Sequence, residues 1–93
     1  MIKVDLIDEI FSGREIITCL SDDYPFKSFS GGGLTLQECE AYFVGLVKGY
    51  LIDRPGKIYI KCPPLLSEKE HGYEIFMRFI VSEDKLEEGI SWK

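Results

Sequence analysis

The segment Thr35-Leu36-Gln37-Glu38-Cys39-Glu40-Ala41-Tyr42-Phe43-Val44-Gly45-Leu46-Val47-Lys48-Gly49-Tyr50-Leu51-Ile52 predicts a long amphipathic helix. Thr35 stands three residues before Glu38, the capping-box pattern that satisfies otherwise orphaned amides at a helix start. Leu36, Cys39, Phe43, Leu46, Val47, Tyr50 and Leu51 recur at helical spacing and give one wide apolar face. About sixteen residues at the rise of an α-helix reach about 24 Å. Asp53-Arg54-Pro55-Gly56 stops the helix, because proline cannot continue it and glycine permits the turn. Gly45 and Gly49 lie inside it, and each costs about 1 kcal/mol relative to alanine. Close backbone approach to a sheet or to another helix is the expected compensation.

A one-sided helix needs a surface to bury its apolar face, and the residues that follow supply strands. Lys57-Ile58-Tyr59-Ile60-Lys61-Cys62 alternates, which predicts Ile58, Ile60 and Cys62 on a buried face and Lys57, Tyr59 and Lys61 on a wet one. Tyr73 to Ser82 is a longer strand with large apolar groups on both faces, which suits a central position. The ten residues 63–72 between them, beginning Pro63-Pro64, read as a connecting loop.

Upstream, Ile2, Leu6 and Ile10 share a helical stripe, so residues 2–11 predict a short N-terminal helix ended by Ser12-Gly13. Glu15 to Leu20 is rich in β-branched residues and reads as a strand. Ser21-Asp22-Asp23-Tyr24-Pro25 carries turn chemistry, Phe26 to Ser30 returns as a shorter strand, and Gly31-Gly32-Gly33 breaks the chain. The expected architecture is a single α+β domain over residues 1–93. It has about four mostly antiparallel strands in two hairpins, the long helix across one face and the short helix at the N-terminus. The polar tail, residues 83–93, brings Leu86, Ile90 and Trp92 to dock.

Sixteen acidic against eleven basic residues give a net charge of −5, which disfavours a nucleic-acid binder and favours a basic partner. No apolar run is long enough for a membrane span, and three widely spaced cysteines do not form the dense even set of a secreted scaffold. A cytoplasmic setting is expected. Cys19, Cys39, Cys62 and His71 lack the close ligand pairs of a structural zinc site, so no metal and no cofactor are expected. His71, the only histidine, stands beside Glu68 and Glu70 without a nucleophile in reach along the chain, which argues against catalysis. Gly31-Gly32-Gly33 precedes a helix start but lacks the lysine of a phosphate loop.

Two acidic sites remain as partner-binding candidates: Asp22, Asp23 and Tyr24 on a proline-stiffened turn, and Glu68 with Glu70 beside Leu65-Leu66. Carboxylates steer approach, and a tyrosine anchors. The expectation is a small acidic protein-binding domain of the inhibitor or immunity/antitoxin type, neutralising a basic partner such as a nuclease toxin. The alternative is a nucleic-acid-binding or regulatory accessory domain using Lys57, Tyr59 and Lys61 as an aromatic-plus-basic face. A small enzyme ranks last.

Overall fold

A computed structural model of the protein describes residues 1–86 and the strand at 90–91. Along the chain lie β1 (Ile2–Lys3), α1 (Ile7–Ile10), β2 (Ile16–Thr18), β3 (Lys27–Gly33), α2 (Leu36–Leu51), β4 (Lys57–Lys69), β5 (Gly72–Ser82) and β6 (Ile90–Ser91). The strands form one mostly antiparallel sheet in the order β3-β5-β4-β2-β6, with β1 on the far half of β4. The α+β class, the long helix and the central place of β5 are as the sequence predicts. Trp92 lies outside the described residues, Ile90 falls in β6, and Leu86 is half-buried. Among the described residues no helix is long and apolar enough to cross a membrane.

α2 begins as expected. Thr35 Oγ1 accepts from Glu38 N at 3.1 Å, and its hydroxyl donates to Glu38 Oε1 at 3.0 Å. At the other end the Arg14 guanidinium donates to the carbonyls of Leu51, Arg54 and Gly56, holding the last turn and the turn that follows. The helix buries Cys39, Phe43, Val44, Val47 and Leu51, while Leu36 and Leu46 of the predicted stripe are exposed. The reason is α1: its Ile7 and Ile10 join the same core, which shifts the buried arc toward Val44. Beneath α2, Phe79 is met by Phe11 edge-on at 5.1 Å and stacked by Phe29 at 5.0 Å.

The first predicted hairpin does not form. β2 runs parallel to β4 (Ile16↔Ile58 to Thr18↔Ile60), and β3 pairs with β5, two strands away. Parallel pairing satisfies the inner edge of β4 from both sides of β2, through Ile58 N to Glu15 O and Cys19 N to Ile60 O. The expected helix over residues 2–11 is one turn only, because Ile2 and Lys3 instead pair with Leu66 and Leu65.

The expected loop at 63–72 is strand up to Lys69. Two register shifts, between Ile60 and Cys62 and between Cys62 and Leu65, each add a residue opposite β5. Bulges are where a sheet interior tolerates proline, which cannot donate to the ladder. Pro64 is fully buried, and its carbonyl accepts from Val4 N. The first shift also reverses the face of Cys62, which stands opposite Arg78 and is half-buried rather than core. Leu66 is buried and Leu65 half-buried.

The glycines exchange roles relative to expectation. Gly31, Gly32 and Gly33 lie inside β3 rather than breaking the chain, and a Cβ on Gly33 would stand 2.6 Å from Cys39 N. Gly31 and Gly33 let α2 settle onto the sheet. Gly45 and Gly49, expected to mark a close approach, have nothing within 4 Å of an added Cβ.

Candidate protein-binding site

The connection from β2 to β3 carries the first acidic candidate. Its tip is fixed from below by one side chain of β4. Lys61 Nζ lies 2.6 Å from Asp22 Oδ1 and 3.3 Å from the carbonyls of both Leu20 and Ser21. Three donors on an ammonium suit three acceptors on one turn. Asp23 N donates to Ser21 Oγ at 3.1 Å, an additional local restraint. The hydrogen bond and charge of Lys61 hold the Asp22 carboxyl below its ordinary pKa, so it stays ionised.

Beyond this pinned base the chain presents a graded surface. Asp23 is exposed and Tyr24 is half-buried against Phe26, edge to face, at 6.2 Å. The Arg78 guanidinium from β5 stands 5.7 Å from the Phe26 ring. Asp22, Asp23 and Tyr24, consecutive on this turn, have unequal surroundings. Asp22 is paired with Lys61, Asp23 is exposed, and Tyr24 is half-buried against Phe26. Phe26 and Arg78 belong to the same corner and were not in the predicted set. Alternation places Arg78 on the open side of β5, but only the β3–β5 pairing brings it to Phe26.

The second acidic candidate is elsewhere. Glu68 lies seven residues beyond Lys61 on β4, about 20 Å away at the rise of a strand. Glu70 and His71 form the tight β4–β5 turn, exposed beside a shallow depression of about 460 Å³ that Leu34, Lys69 and Tyr73 also line. Lys69 faces Glu74 at 3.6 Å, and His71 Nε2 stands 3.9 Å from Glu70. The two acidic candidates therefore do not make one site.

The Lys57–Tyr59–Lys61 face is not the wet face expected. Tyr59 is fully buried; its hydroxyl accepts from Leu86 N at 3.2 Å and lies 3.5 Å from Asp84 O. The segment after β5 folds over the ring, so no aromatic platform is open there. Lys57 pairs with Glu15 at 3.2 Å, and Lys61 is the pin of the 20–22 turn. An alternating pattern reveals two faces of a strand but not that a later segment covers one of them.

The three cysteines are free. Cys39 is buried on the sheet side of α2 with its thiol 3.5 Å from Gly31 O, and burial pushes its pKa up. Cys19 is buried after β2, and Cys62 is half-buried in the bulge. Among the described residues no group of histidine, cysteine, aspartate or glutamate is placed to hold a metal ion. Comparison with protein families, curated protein sequences and solved structures finds no match.

Proposed function

We propose that this is a small acidic protein-binding domain of the inhibitor or immunity/antitoxin type, which engages a basic partner through the 21–26 turn. The observation that carries the reading is the Lys61 pin. A turn held at three acceptors from beneath has little freedom left to lose on binding, which removes part of the entropic cost of association. Asp23 supplies exposed charge for steering, and Tyr24 supplies a half-buried ring for anchoring. The net charge of −5 extends the same attraction beyond the turn.

The test is affinity capture from the native cell, followed by binding kinetics with the captured protein. A partner rich in lysine and arginine is expected, with association slowing as salt rises. Asp23→Lys should slow association, and Tyr24→Ala should speed dissociation. A partner that binds both variants as it binds the parent chain would remove the turn from the contact. The alternative nucleic-acid reading has less support, since both lysines of its face already have acidic partners and its tyrosine is covered.

A further inference from the structure

The sheet ends on β3. Its register against β5 runs from Lys27↔Phe79 to Gly33↔Tyr73 without a shift, and among the described residues no strand pairs with its outer edge. Cys39 reveals which way its peptide groups point. The thiol lies beside Gly31 O and takes a backbone hydrogen bond at Ile75, the residue directly across from Gly31. Gly31 therefore turns its polar groups toward β5, and alternation leaves those of Ser28, Ser30 and Gly32 pointing outward. All three are exposed. Edge strands are ordinarily blunted by proline, a bulge or several charges, and this one carries only Lys27.

Alongside that edge runs one flank of α2. Tyr42, Gly45, Leu46 and Gly49 fall at i, i+3, i+4 and i+7, a single stripe. Tyr42 is 57% exposed and Leu46 37%, and the Tyr42 ring overhangs Gly31. The two glycines cost helix stability, and among the described residues a Cβ added at either would meet nothing within 4 Å.

We infer that the β3 edge pairs with the β3 edge of a second copy of this chain, antiparallel about a two-fold axis at Ser30. The edge is self-complementary in the way such an axis requires. Ser28 falls opposite Gly32 of the other copy, and Lys27 falls opposite its Gly33. Glu38 adjoins Gly33, since a Cβ there would stand 3.0 Å from the Glu38 carbonyl carbon. Lys27 lies on the α2 side of the sheet, over the Tyr50 ring at 4.8 Å. Each end of the paired strands thus sets an exposed lysine against an exposed glutamate on the same face. The same axis makes the two α2 helices antiparallel neighbours across the Tyr42–Leu46 stripe, where Gly45 and Gly49 leave room for close approach.

Sedimentation from low micromolar to millimolar concentration tests this. The parent chain should shift from one-chain to two-chain mass. Ser30→Pro removes an outward N–H that the single chain does not use, so it should keep the far-ultraviolet dichroism and abolish the shift. Lys27→Glu should weaken association at least tenfold, and Lys27→Glu combined with Glu38→Lys should recover it. A one-chain mass throughout, or a doubled mass that survives Ser30→Pro, overturns the proposal. If Ser30→Pro does not fold, the charge exchange decides: association unchanged by Lys27→Glu, or not recovered by the exchange, overturns it.

Discussion

Alanine at Gly33 and alanine at Gly45 should change stability in opposite directions. At Gly33 a Cβ would stand 2.6 Å from Cys39 N and 2.9 Å from Cys39 Cα, about 0.8 Å inside ordinary contact with the nitrogen. The obstacle is helix backbone rather than the end of a flexible side chain, so α2 itself must lift from β3. Cys39, Phe43 and Val47 are fully buried beneath that helix, and lifting it loosens their packing. Overpacking of this kind costs about 1–3 kcal/mol. At Gly45, and equally at Gly49, the added methyl meets nothing, so only the intrinsic helix preference changes, worth about 1 kcal/mol in favour of alanine. The two substitutions should therefore differ by about 2–4 kcal/mol, or more than 8 °C in Tm at about 4–8 °C per kcal/mol for a domain of this size. Urea titration at low micromolar concentration, where chains do not associate, would measure both. A Gly33→Ala protein within about 0.5 kcal/mol of the parent would refute the close approach of α2 to β3.

Phe43 is fully buried, and Phe43→Ala should cost about 3–5 kcal/mol in the same titration; a loss below about 1 kcal/mol would place the ring outside the core. Asp22 has a folded pKa depressed by Lys61, so its contribution is complete above the unfolded value of about 3.9 and is lost as pH falls through the lower folded value. Lys61→Ala should return the Asp22 titration, followed by carbon NMR, to the ordinary carboxylate range. Cys39, buried and with a raised pKa, should resist iodoacetamide under native conditions while the half-buried Cys62 reacts first; equal rates would show that α2 opens readily.

Local chemistry was legible where it was strong. The Thr35 cap, the proline stop, the Cys39–Phe43–Val47–Leu51 part of the α2 stripe and the two-sided strand at 73–82 each follow from residues near one another in sequence. What failed depended on distant partners. The 16–18 strand carries no mark of its parallel pairing with Ile58–Ile60, and Pro63-Pro64 read as a loop because the bulges that absorb them are set by β5. Tyr59 alternated with two lysines and so looked wet, although the chain 25 residues later folds over it. The acidic turn was visible from its composition, but the contact beneath it was not, because Lys61 reaches it from 39 residues away.

Every strand formed by the first 33 residues takes a partner from β4, β5 or β6, all of which begin at or after Lys57. During synthesis, β1, β2 and β3 therefore leave the ribosome with no edge to join, and α2 appears before both strands that complete the surface beneath it. Folding must wait for the second half of the chain and then proceed around the β4–β5 hairpin, whose contacts are local and close quickly. Until that hairpin exists, Ile7, Ile10, Phe11 and Phe29 lack the β5 side of their core, including Phe79. A nascent chain stalled before Lys57 should be bound by chaperones, and the same chain extended past Ser82 should be released.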